Sequence, residues 1–93
     1  MHRRILAVFK DCVRNGRYVV TLHAEEEMND DGLDVFDVEN AVWTGKLIQR
    51  QRDRETGEWK YVLTGVALNK ARVTIVMKLS PTGKCVIVTV YRD

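Results

Sequence analysis

Proline is nearly absent from this chain. The only one, Pro81, stands in Ser80-Pro81-Thr82-Gly83, a turn rather than an element interior. Cysteine is scarce as well. Cys12 and Cys85 lie far apart in sequence and read most simply as small buried hydrophobes, with a single disulfide between them as the alternative. With His2 and His23 they make four conceivable zinc ligands, but none stands at a metal-ligand spacing, so neither metal nor cofactor is expected. No apolar run approaches the roughly 20 residues of a membrane span. The basic N-terminus lacks the apolar centre of a secretory leader. Repeats, linkers and low-complexity tracts are missing too, and the expected location is the cytoplasm.

What remains is one ordinary globular domain, residues 1–93, with 45% hydrophobic and 30% charged residues. A chain of this length buries about two-thirds of its unfolded surface, enough for one modest core. The charge is unevenly spread. Residues 18–45 hold eight acids and no Lys or Arg, a local charge of −8, so the remainder carries +10 to reach the total of +2. Such a division suits a polyanion on one side. The plain alternative is acids at helix starts and bases on exposed strands.

Periodicity orders the elements. Ile5, Leu6, Phe9, Cys12 and Val13 recur at helical spacing, with Arg3, Lys10, Arg14 and Arg17 along another face, and Gly16 as a stop. Arg17-Tyr18-Val19-Val20-Thr21 reads as an extended connector. Thr21 is placed to N-cap a second helix that buries Ala24 and Met28 and ends at Gly32. Asp34 and Asp37 imitate a capping box before a third helix with Val35, Val38, Ala41 and Val42 inward.

From Lys46 the period becomes two. Residues 46–55 and 58–68 flank Thr56-Gly57 as a hairpin. Val73, Ile75, Met77 and Leu79 share one face of a third strand. The last strand is apolar on both faces, Val86, Val88 and Val90 against Cys85, Ile87, Thr89 and Tyr91. Short turns between strands imply an antiparallel sheet. The expected fold class is α+β, with two to three N-terminal helices packed on a four-stranded antiparallel sheet.

Two features carry chemistry. Lys46, Arg50, Arg52 and Arg54 fall on one strand face, a phosphate track or simply edge protection. Lys60, Arg72 and Lys78 extend the set of candidate RNA-binding cations. Trp59, Tyr61 and Tyr91 stand among them, either as platforms for unstacked bases or as cross-strand packing. The other feature is Thr21-Leu22-His23-Ala24-Glu25-Glu26-Glu27-Met28. His23 opens its helix and Glu27 stands one turn on, an arrangement suited to a general acid or base and equally to a helix-capping histidine. Metal-free RNA cleavage needs a base, an acid and cations around the phosphorus. His23, Tyr91, Arg72 and Lys78 are of the right types.

The segment from Thr21 to Ile48, then Tyr61-Val62-Leu63-Thr64-Gly65, then Val86-Ile87-Val88-Thr89-Val90-Tyr91, resembles the DUF4258 family. The family pattern is a His-Ala pair opening a helix, a Gly, a second helix and Gly, a Tyr-x-x-x-Gly strand and a closing Ile/Val-Thr-x-Tyr strand. That family is grouped with RelE-like toxins of bacterial type II toxin–antitoxin systems, and the order of elements is similar to MqsR-type mRNA interferases. The resemblance implies a RelE-like fold, a metal-independent endoribonuclease acting on RNA, and a YgiT-type zinc-finger, helix-turn-helix antitoxin as partner. It also implies His23, Tyr61, Thr89 and Tyr91 as catalytic residues. One position departs: the family commonly has Arg where this chain has Glu27. A carboxylate repels phosphate, so Glu27 either assists His23 or marks weakened cleavage. Three readings follow: a ribonuclease toxin, a non-catalytic RNA- or protein-binding module, and a homodimer pairing through exposed strands. In the first, the basic first helix and the sheet form the RNA side and the acidic second and third helices the partner side.

Overall fold

The computed structural model describes residues 2–93, with side chains from residue 4 onward. The side chains of His2, weighed above as a metal ligand, and Arg3, placed above on the basic helix face, lie outside the described residues. The elements run α1 (His2–Arg14), β1 (Tyr18–Val20), α2 (Leu22–Asp30), α3 (Val35–Trp43), β2 (Lys46–Arg52), β3 (Trp59–Val66), β4 (Arg72–Leu79) and β5 (Cys85–Arg92). The class is α+β.

The sheet differs from the expected one. It has five strands, not four, in the order β1-β5-β4-β3-β2, and it is mixed rather than antiparallel. The extended connector is strand β1, which lies parallel to β5 with Tyr18 opposite Cys85 and Val20 opposite Ile87. Three residues are too few to display a period of two. A parallel partner at the other end of the chain also leaves no turn signal beside it.

The helix ends follow the local chemistry. The Thr21 hydroxyl accepts the Ala24 N–H at 3.1 Å and donates to the Val88 carbonyl at 3.1 Å, so one side chain starts α2 and ties it to β5. Asp34 and Asp37 form a reciprocal capping box at 3.0 and 3.1 Å. The Asp34 N–H chiefly, with help from the Leu68 N–H, holds the Asp37 carboxyl below the usual carboxylate range.

α1 and α3 cover one face of the sheet. Phe9, Cys12, Val38, Ala41, Val42, Leu63, Ile75, Met77, Ile87 and Val90 are buried there, and Ala24 and Met28 of α2 close the β5 side of the same core. Both cysteines are buried and free. Burial, reinforced by the neighbouring Cys12 thiol, pushes the Cys85 thiol up. Tyr18 donates to Glu39 of α3, and burial chiefly, then that bond, raises its hydroxyl.

Two bulges re-aim side chains that strict alternation assigns otherwise. In β5 the register passes from Ile87 opposite Met77 to Thr89 opposite Val76, leaving Val88 as the extra residue. Cys85, Ile87 and Val90 therefore share the core, while Thr89 and Tyr91 leave the face of Cys85 and Ile87. In β2 the extra residue is Ile48. Leu47 and Arg50 then lie on the helix face, and Lys46 and Gln49 on the other.

Candidate nucleic-acid interface

Directly paired residues in an antiparallel ladder point to the same side, so the register maps the face opposite the helices. Its rows are Tyr91–Thr74–Thr64–Lys46, then Thr89–Val76–Val62–Gln49, with the pairs Val86–Lys78 and Lys60–Gln51 beyond them. Arg72 and Val66 pair beyond the first row. Each row crosses four strands, about 14 Å at the usual strand spacing. The Thr74 hydroxyl donates to Asp93 at 2.8 Å. Thr44, Lys46, Thr64, Val66 and Arg72 line a shallow hollow of about 220 Å³.

The predicted cations divide between the two faces. Lys60, Arg72 and Lys78 lie on the open face, where Lys60 pairs with Asp53 at 3.3 Å and Lys78 with Glu58 at 3.2 Å. Arg72 is exposed. Arg50 and Arg52 belong to the helix face, where their guanidinium carbons sit 4.4 and 5.2 Å from the Trp59 ring centre. Arg54 is in the turn that follows β2, not on a strand. The single row Lys46–Arg50–Arg52–Arg54 is therefore corrected, because the bulge at Ile48 puts Lys46 opposite the arginines. The hairpin connection is also longer than Thr56-Gly57, running from Asp53 to Glu58, with the Asp53 carboxylate accepting the Glu55 and Thr56 N–H groups.

The basic first helix does not share a side with the open face either. Lys10 and Arg14 lie over the ring of Trp43 on α3, at 5.9 and 4.8 Å. Arg17 pairs with Asp11 at 2.6 Å.

The four candidate catalytic residues are only partly brought together. His23 is exposed (68%) on the first turn of α2, with Nε2 3.3 Å from Glu27 Oε1. That same oxygen accepts the Val90 N–H at 3.2 Å. Asp31, the C-cap residue of α2, accepts the Arg92 N–H at 2.8 Å. α2 thus occupies the β5 edge where β1 ends, and its acids satisfy strand donors that would otherwise be an open edge. Glu27 links His23 to the backbone of Val90, between Thr89 and Tyr91, whose side chains lie on the open face, Tyr91 being 44% exposed. Tyr61 does not join them. It packs on the helix face, edge-on to Phe9 with ring centres 5.6 Å apart. Its place two strands away and on the other side removes it from the set.

Sequence reasoning missed Thr64 and Thr74, which complete the row between Tyr91 and Lys46. Thr64 was visible only as part of the Tyr-x-x-x-Gly strand, and no local signal aligns the two threonines. Glu27's bond to Val90 was equally hidden, because its partner is 63 positions away. Among the described residues, no three of His, Cys, Asp and Glu are grouped to hold a metal ion. No helix among them is long and apolar enough to cross a membrane.

A family model described as "Domain of unknown function (DUF4258)" matches residues 20–92. No curated protein and no solved structure matches the chain.

Proposed function

The chain belongs to the DUF4258 family, and from that footing we propose that it is an RNA-binding, RNA-cleaving toxin of the cytoplasm, neutralised by a YgiT-type antitoxin. The observation that carries the RNA part is the open sheet face. It offers the partly exposed hydroxyls of Thr64 and Thr89, a cation at the Lys46 end, Arg72 alongside, and Tyr91 on the strand tied to α2, while Thr74 between them is buried and bonded to Asp93. Stacking on a ring and phosphate contacts from bases are the usual elements of single-stranded RNA binding.

The chemistry follows from the parts at that edge. His23, oriented by Glu27, takes the proton of a ribose 2′-OH. The 2′ oxygen attacks the phosphorus and the bond to the 5′ oxygen breaks, leaving a 2′,3′-cyclic phosphate. Tyr91 supplies the proton to the departing 5′ oxygen. Arg72, on the strand next to Tyr91, offsets charge at the phosphorus, and Lys46, about 14 Å along the row, serves a neighbouring phosphate. In this reading Glu27 serves His23 and the strand edge, which accounts for a carboxylate where the resemblance implies an arginine.

A second reading is favoured by one observation. Tyr61 is withdrawn to the core, and Lys60 and Lys78 already hold acids, so fewer groups are aimed at RNA than the resemblance implies. That pattern suits a module that binds without cutting.

Binding is tested by reversing charge on one face at a time. The double variant Lys46→Glu/Arg72→Glu is expected to weaken binding to single-stranded RNA at least tenfold. It should also flatten the log–log salt dependence by about 1.4, near 0.7 for each lost phosphate contact. Arg50→Glu/Arg52→Glu should leave that slope close to wild type. The reverse ranking, with loss only in the arginine pair, moves the RNA path to the hairpin's helix face and overturns the assignment.

A further inference from the structure

Among the large apolar side chains exposed on the helix side are Phe36 at 63%, Leu68 at 62% and Trp43 at 46%. They are neighbours rather than scattered. Phe36, Asn40 and Trp43 form an outward line on α3, and with Val13, Arg14, Glu39 and Leu68 they line a groove of about 510 Å³. Monomeric proteins rarely leave such a cluster uncovered without a use for it.

The groove is held in shape before anything binds. The Leu68 N–H donates to Asp37 at 3.1 Å, and Asn40 Nδ2 donates to the Val66 carbonyl at 2.9 Å. These bonds fix the β3–β4 loop against α3, so Leu68 cannot fold away. On the other wall, Lys10 and Arg14 hold the Trp43 ring from the α1 side.

Charge sorts what fits. The α1 wall carries Lys10 and Arg14. The α3 side carries Glu39 in the groove itself, with Asp34 and Asp37 at the start of the helix, and residues 18–45 hold no base at all. We propose that this groove receives an amphipathic helix of a partner protein, with an apolar stripe seated on Phe36, Trp43 and Leu68. Its acidic flank lies toward Lys10 and Arg14 and its basic flank toward Glu39, Asp34 and Asp37. A third helix laid between two is the ordinary way such a groove is filled, with anchors at i, i+3 or i+4, and i+7. The inference goes beyond the RNA reading and does not depend on it, since the groove lies on the helix side of the sheet.

The probe is a synthetic 18-residue helical peptide with a leucine stripe, Glu along one flank and Lys along the other. A control peptide has the two flanks exchanged. Trp43 fluorescence is followed in a Trp59→Phe background, so that one tryptophan reports. Saturable binding is expected, with the exchanged peptide at least tenfold weaker. Leu68→Glu and Phe36→Glu should each lower affinity at least tenfold with an unchanged circular dichroism spectrum, as both positions are exposed. Equal affinity for the two peptides, or no binding to the folded protein, overturns the proposal. So does concentration-dependent self-association that either variant abolishes, because the groove would then belong to a second copy of this chain.

Discussion

Gly65→Ala is expected to cost about 3 kcal/mol or more, the upper range for overpacking a tight contact. An added methyl at Gly65 would stand 1.9 Å from the Ala41 carbonyl oxygen, 2.8 Å from its carbon and 3.0 Å from its α-carbon. All three are backbone atoms of α3, so no rotamer change relieves the clash. Helix and strand must separate, and the buried layer of Ala41, Val42 and Leu63 opens with them. In a domain of this size that loss lowers the midpoint of thermal unfolding by on the order of 10–20 °C. Gly45 is the second half of the same approach, its ideal methyl 2.6 Å from the same Ala41 oxygen. Gly16→Ala is the control. Its φ of +68° disfavours a side chain, but nothing lies within 4 Å, so about 1 kcal/mol is expected. Scanning calorimetry of the two variants reads the difference directly. Equal, small shifts would mean that α3 and β3 are not in this close contact. The Tyr-x-x-x-Gly pattern thereby acquires two physical meanings: Tyr61 packs on Phe9, and Gly65 lets α3 touch the strand.

The second large effect is expected at Glu27. Glu27→Ala removes the acceptor for the Val90 N–H and the partner of His23 at once. A hydrogen bond to a charged group at a half-buried edge is worth about 1–3 kcal/mol, and water reaching the edge brings this site to the lower end. Glu27→Gln keeps an acceptor oxygen and should recover most of the stability. Glu27→Arg is the informative change, because it installs the residue that the resemblance implies at this position. It should destabilise as the alanine does while strengthening RNA binding severalfold, since a base then stands beside Tyr91. Urea unfolding and RNA titration of the three variants separate the two roles. Full stability in Glu27→Ala would show that the carboxylate does not tie α2 to β5.

Much of this fold was legible from local chemistry. The apolar stripe of α1, the Thr21 cap and the Asp34/Asp37 box are short-range features, and all appear in the structure. What was hidden depends on distant partners. β1 is defined only by its pairing with β5. The bulges at Ile48 and Val88 leave the period-two pattern intact on paper yet exchange which residues face the core. For that reason Lys46 parted from Arg50, and Thr89 and Tyr91 parted from Ile87. One readable signal concerned the groove. With Val35, Val38 and Val42 as the inward stripe of α3, Phe36 and Trp43 fall outside it, and two large apolar residues off the core stripe point to a second contact surface.

Incubation of purified protein with single-stranded RNA in excess EDTA, beside His23→Ala and Tyr91→Phe, decides between cleavage and binding alone. Metal-free proton transfer at the α2–β5 edge predicts cleavage that leaves 2′,3′-cyclic phosphate ends. It should fall by about 10²–10⁴-fold without His23, in the range typical of a lost general base. Tyr91→Phe should slow it while leaving RNA affinity within a few-fold of wild type. Intact RNA with all three folded proteins, or cleavage indifferent to both substitutions, contradicts the account.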